Sequence, residues 1–292
     1  MSSPARAGVR RHGDGPLLRA LASVPAFAYL LVLMAVPLGL VILYAFLTAG
    51  RFGGVQGPIT LDNLVRVGQP LYRDVLLSSV LNAGVATLLA FALGFPAALA
   101  ITRLSATWQT VALLAVVLPF WTNFLIRTYA WILLLNREGI LNDGLSLVGM
   151  GPIDVLYTRQ AVILGLVYAY IPLMVLPIYA SLQRLDPALL EAARNLGAGG
   201  WRRFRTVLLP LTMPGVITGC LFVFIPSLGN FVIPELLGGG NSQMIGNLIR
   251  DQFLKSRDWP FGSALSLLVL ALLVVIVMLQ ASAARRSRKW GA

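Results

Sequence analysis

The chain has 292 residues, of which 58% are hydrophobic and only 12% charged, and its mean hydropathy is +0.81. Soluble domains carry about 25% charged residues, and so apolar a chain cannot cover its surface in water. A soluble enzyme is therefore excluded, and the chain reads as an integral membrane protein. The net charge of +12 comes from 23 Lys and Arg against 11 Asp and Glu. These bases are scattered between apolar runs, as in membrane proteins with basic cytoplasmic loops, and do not gather into the basic face of a nucleic-acid-binding domain. One cysteine, Cys220, excludes an intramolecular disulfide and a multi-Cys metal site, and the single histidine, His12, lies in a polar N-terminal stretch. No metal and no resident cofactor is expected.

A basic tail at 1–19 precedes a transmembrane region at 20–284, and a second basic tail follows at 285–292. Spans are predicted at about 21–48, 75–102, 105–133, 160–183, 207–233 and 260–283, since about 20 helical residues cross the hydrocarbon core. The first run follows Arg6, Arg10, Arg11 and Arg19 as a signal peptide would, but it is about twice the length of a signal h-region, so it is read as a retained helix. The second span places Ala86, Ala90, Gly94 and Ala98 on one face, and the fifth offers Gly215 and Gly219; small residues at this spacing let helices approach closely in lipid. The glycine-rich patch at 144–153, with Pro152, reads as an external loop. Prolines inside the spans (Pro37, Pro96, Pro119, Pro172, Pro177, Pro214, Pro226) kink helices and free carbonyls.

The charge-free cores of these spans are 20–50, 75–102, 104–126, 160–183, 206–234 and 259–284, and none contains an Asp, Glu, Lys or Arg. Arg127 and Glu235 flank the third and fifth of these cores near their outer ends. A proton-coupled transporter would place such groups within the bilayer, and a membrane-embedded hydrolase would need a buried acid/base pair or metal ligands. No Gly-rich phosphate loop is present either, so any uphill transport draws its energy from a partner that binds ATP. With both termini inside, the cytoplasmic segments hold 14 of the 23 Lys and Arg, the asymmetry of the positive-inside rule. The tail Arg285-Arg286-Ser287-Arg288-Lys289 then anchors the last helix.

The longest internal loop carries Asp186 as a helix N-cap, Pro187 at the first helical position and Gly197 just past the end, which predicts a short helix over 187–196. Leu189, Ala192, Ala193 and Leu196 form an apolar stripe, with Glu191 and Arg194 off it. A helix this short must dock, either against its own bundle or on a cytoplasmic partner; periodicity leaves both open.

Glu191-Ala192-Ala193, then Gly197, then Val207 and Leu209-Pro210 resembles the EAA loop of ABC importer permeases, with Val207 where the family usually has Ile. The run Leu118–Trp131, the run Val167–Tyr179, the run Phe231–Gly239 and the segment Arg257–Ala264 are similar to the first membrane subunit of spermidine/putrescine importers. The resemblance covers about 20–284. It implies an all-α membrane protein with six transmembrane helices, the type I ABC importer permease bundle, and cytoplasmic termini. By the same resemblance, Glu191, Ala192, Ala193 and Gly197 couple the bundle to an ATPase dimer. The other implied partners are a second homologous permease and a periplasmic polyamine-binding protein, with the lipid bilayer around them and no nucleic acid. A polyamine needs carboxylates and aromatic faces: Glu235 is the candidate carboxylate, and Trp121, Asn123, Tyr129, Trp131, Tyr168 and Tyr170 are candidate pathway residues. Related permeases import iron(III), sulfate, phosphonate or opines, which is the alternative cargo reading; an ion-coupled secondary transporter is the second alternative.

Overall fold

The structure is a computed structural model that describes residues 16–289. The expected basic ends at 1–15 and 290–292 lie outside the described residues. Among the described residues, five helices are long and apolar enough to cross a membrane, and a bent pair makes up to six. They are α1 (Pro16–Ala45), α3 (Pro70–Thr102), α7 (Arg159–Leu182), α10 (Leu209–Gly229) with the turns before it, and α13 (Trp259–Lys289), while α4 (Ala106–Val117) and α5 (Phe124–Leu135) form the pair. The shorter helices are α2 (Asp62–Val67), α6 (Ile140–Leu147), α8 (Pro187–Asn195), α9 (Gly200–Arg203), α11 (Val232–Gly238) and α12 (Ile245–Leu254). Two-residue strands, β1 (Thr48–Ala49) and β2 (Val55–Gln56), pair antiparallel after α1.

The centre is the packing of α3, α7 and α10 against one another. The small stripe of α3 makes this possible: Ala86, Ala90 and Ala98 are fully buried. At Gly94, a Cβ would stand 2.9 Å from the Met174 Cγ, and at Gly219 on α10 it would stand 2.8 Å from the Met174 Sδ. Met174 of α7 therefore fills the space that two glycines leave, and dispersion contact takes the role that the hydrophobic effect has in water.

A second cluster joins α13 to α12, to the end of α1 and to the first half of α3 through Phe261, Leu265, Ile245, Ala45 and Ala83. Here Arg66 of α2 donates to Asp258 at 2.7 Å and lies 3.9 Å from the centre of the Phe261 ring. Burial lowers the Arg66 pKa and the hydrogen bond to Asp258 raises it; the net shift is upward. Asn63 donates to the carbonyls of Ala45 and Leu47 at 3.1 and 2.7 Å, which satisfies the end of α1. Most of α1 otherwise presents large apolar side chains outwards, with Met34 73% exposed. Such a surface is stable only against lipid or another apolar chain.

Three local features differ from the sequence expectation. The third span is no straight helix: the chain turns by 94° between 106–121 and 124–147. Part of the patch expected as a loop is helical, because α6 runs through Gly144 to Leu147. The remainder is held by Asn142, which donates to the carbonyls of Asn136 and Ile153 and accepts from the Ile153 N–H at 2.8 Å. Finally, the chain leads into α10 through a π turn at Phe204–Leu208. Pro210 has no N–H for the carbonyl of Thr206, and the wider turn accommodates the clash.

Candidate functional site

Two helix breaks build the site. At the first, Pro119 sits in a 3-10 turn (Leu118–Trp121) and brings no N–H to the ladder. The chain restarts at α5 because the Asn123 Oδ1 accepts from the N–H of Leu125 at 2.8 Å and of Ile126 at 3.4 Å. At the second, Pro226 lies in the last turn of α10, and the Asn230 Oδ1 accepts from the Ile233 N–H at 2.8 Å to start α11. Both breaks read Pro, three residues, Asn, Phe: Pro119 to Phe124 and Pro226 to Phe231.

Both face one cavity of about 630 Å³, lined by Phe120, Phe124, Arg127, Tyr170, Asn230 and Phe231 among others. Asn230 donates to the Tyr170 hydroxyl at 2.7 Å, which ties the second break to α7. Tyr170 is close to the middle of α7, about 16 Å from its Arg159 end at 1.5 Å per residue. The cavity therefore reaches well into the membrane.

Arg127 is the charged residue of this lining. Its Nη1 donates to the Pro119 carbonyl at 2.6 Å. Its guanidinium carbon lies 5.6, 5.7 and 5.8 Å from the centres of the Phe120, Phe124 and Tyr168 rings, within cation–π range. The expectation that Arg127 stands at the outer end of a span changes here. The 94° turn carries it inward beside the middle of α7, and no carboxylate lines the cavity among the described residues.

The other candidates separate. Tyr170 lines the cavity, while Tyr168 and Trp131 stand behind Arg127 as an edge-to-face pair at 5.2 Å. Asn123 is the cap of α5. Trp121 and Tyr129 are exposed and line neither this cavity nor the small one behind Arg127. Glu235 on α11 is ion-paired with Arg250 of α12. Arg250 also bonds Asp251 at 2.7 Å and lies 5.4 Å from the centre of the Phe231 ring, and Lys255 bonds Asp251 at 3.0 Å. Burial pushes the Asp251 carboxyl up, but the hydrogen bonds from Arg250 and Lys255 outweigh it and hold the group below the usual aspartate range. Glu235 is thus one member of a balanced set of two acids and two bases. Sequence reasoning missed Phe120, Phe124, Asn230 and Phe231; the repeated Pro-to-Asn-Phe spacing was the signal that could have found them.

The second part of the site is α8, at the far end of α7. Its N-cap is Asp186, which accepts from the Ala188 N–H at 2.9 Å, with Pro187 in the first turn. Gly197 takes φ 76°, and the Ala198 N–H returns to the Ala193 carbonyl at 3.0 Å. Glu191, Ala192 and Gly197 are exposed and Ala193 is half-buried. Of the apolar stripe, Leu196 is 87% exposed and Leu189 46%, so its own bundle does not cover it. Leu190, off the stripe, packs inward beside Phe204, which meets Phe95 of α3 edge-on at 5.2 Å. Leu190, Phe204 and Phe95 thus lie in a row from α8 to the central packing.

The family described as the binding-protein-dependent transport system inner membrane component matches residues 82–289. The chain is 43% identical over 253 residues to the spermidine/putrescine transport system permease protein PotB of Haemophilus influenzae, covering 86% of this chain and 88% of that one. It is 40% identical over 268 residues to PotB of Escherichia coli K12, covering 91% and 98%. A solved bacterial alginate ABC transporter, in complex with an alginate-bound periplasmic protein, shares the fold at a TM-score of 0.72 and 20% identity, over 92% of this chain and 94% of that one. The chain belongs to the binding-protein-dependent inner membrane transport components, as an all-helical permease that works with a binding protein and leaves ATP hydrolysis to a separate subunit.

Proposed function

We propose that this chain is one membrane half of an ATP-driven polyamine importer, with putrescine or spermidine as cargo. The identity of 40–43% to the two PotB proteins, over most of each chain, carries the cargo assignment. In this reading a second homologous permease completes the pore, an ATPase dimer binds on the cytoplasmic side, and a periplasmic polyamine-binding protein delivers cargo. Both termini face the cytoplasm, which puts α8 inside, where the basic loops favour it.

Glu191, Ala192, Ala193 and Gly197 are the coupling residues. Their support is the capped, exposed α8 with an apolar stripe left uncovered by its own chain, and Leu190 and Phe204 behind it to pass movement inwards. Closure of the ATPase dimer pushes this helix, and the helices around the cavity rearrange where they are already broken, at Pro119–Asn123 and Pro226–Asn230. Cargo crosses beside Tyr170, with Tyr168 and Trp131 supporting the wall and Asn123 fixing the first break. Trp121 and Tyr129, being exposed, lie at the mouth or against the second permease. Glu235 acts at the outer side within its ion-pair set.

The test is uptake of labelled spermidine into proteoliposomes that hold the complete complex. ATP-dependent uptake, competed by unlabelled putrescine and spermidine but not by sulfate or ferric ion, is expected. Uptake that ignores both polyamines overturns the cargo, and uptake that survives without ATP overturns the mechanism.

A further inference from the structure

The group of atoms around the Arg127 guanidinium is more than a support for one side chain. Three aromatic rings present faces to a single cation at 5.6–5.8 Å, and a main-chain carbonyl accepts a hydrogen bond from it at 2.6 Å. The rings come from different elements: Phe120 from the 3-10 turn, Phe124 from α5 and Tyr168 from α7. Aromatic faces around a carbonyl are the chemistry by which an alkylammonium or guanidinium is recognised without a carboxylate. Here no carboxylate lines the adjoining cavity among the described residues. The cation in place is covalently attached, one turn after the break whose carbonyl it holds.

We infer that this cluster is a cation-binding site in the translocation path that the protein fills with its own Arg127, and that the ammonium end of the cargo takes it by displacing that side chain. The inference rests on the polyamine reading above for its cargo, and on the cluster alone for the site. A tethered occupant keeps the site from holding cargo firmly, because an arriving ammonium must compete with a guanidinium always at hand. When Arg127 leaves, its hydrogen bond to Pro119 is lost and the break between α4 and α5 is released. Occupancy of the site and the shape of the broken span are then linked.

The test uses the complete complex in proteoliposomes with methylguanidinium as the probe, a cation small enough to occupy the site and too short to resemble the cargo. Binding-protein-stimulated ATP hydrolysis and labelled spermidine uptake are both followed. Vacating the site with Arg127→Ala should lower the methylguanidinium concentration needed for half-inhibition by about tenfold. Arg127→Lys, which holds the rings and carbonyl as a point charge only, should lower it by about threefold. Adding Phe124→Leu to Arg127→Ala should return the sensitivity to that of the unaltered protein. Unchanged sensitivity in the Ala and Lys variants overturns the inference, as does full sensitivity in the double variant. If Arg127→Ala does not assemble, Arg127→Lys decides alone. If the unaltered complex takes up no polyamine, the cargo reading fails, while inhibition of hydrolysis still reads the site.

Discussion

Met174 shows how single residues set the packing. It touches the bare faces of Gly94 and Gly219, and the cost of adding a methyl group depends on what that group meets. At Gly94 it meets the flexible Met174 side chain, whereas at Gly215 it meets the main-chain carbonyl of Pro177. Gly215→Ala should therefore destabilise by roughly 1–3 kcal/mol and Gly94→Ala by less, as overpacking of a tight core does. Gly84→Ala, with open space around it, should be neutral or slightly stabilising because alanine favours a helix. Thermal midpoints of the three variants in one detergent give the order, and a Gly94→Ala loss exceeding that of Gly215→Ala would contradict it. The small-residue stripe was legible because its spacing is a property of sequence alone. Met174 was not, since its partners lie on two other helices.

Asp251 gives a pH dependence at the same scale. Its carboxyl is held below the usual range in the folded chain, so the unfolded state binds the proton more readily. The stabilisation is fully present above the ordinary aspartate value, about pH 4, and is lost as pH falls through the folded-state value. Acidification through this window should lower the midpoint of the unaltered protein more than that of Asp251→Asn. Parallel curves would show that the bonds from Arg250 and Lys255 contribute nothing to folding.

Among the elements, α8 was the most legible, since Asp186, Pro187 and Gly197 are local signals that need no tertiary information. Removing them should separate helix stability from contact. Asp186→Ala costs the cap about 1 kcal/mol, and Gly197→Ala costs roughly 1–2 kcal/mol for a left-handed non-glycine residue. Both should reduce ATP-driven uptake several-fold while the complex still assembles on size-exclusion chromatography. Uptake equal to the unaltered protein in both would mean that the shape of α8 does not matter. The broken third span was not legible. Pro96, Pro172, Pro177 and Pro214 also lie inside helices, yet those helices continue. What distinguishes Pro119 and Pro226 is an asparagine four residues on whose Oδ1 accepts from N–H groups in the first turn of a new helix, so the break needs both the missing donor and the replacement acceptor. With that turn went the position of Arg127, which charge counting along a straight helix had put at the edge.

For the whole molecule, the uncovered surfaces say more than the core. The outward face of α1 and the stripe of α8 differ in setting: one is a long apolar run suited to lipid or a second permease, the other a short amphipathic helix beside basic residues. The pairing of Glu235 with Arg250 likewise could not be read from sequence, because α11 and α12 meet only in the fold; among the described residues neither lines the cavity, whose charged lining residue is Arg127. The transport account depends on ATPase movement entering at α8. The most direct measurement is disulfide cross-linking of Ala192→Cys, in a Cys220→Ser background, to cysteines placed along the groove of the ATPase subunit in the assembled complex. A cross-link that forms in the complex and changes in yield on ATP binding is predicted. Absence of any cross-link to the ATPase, together with labelling of residue 192 from the periplasmic side, would contradict it.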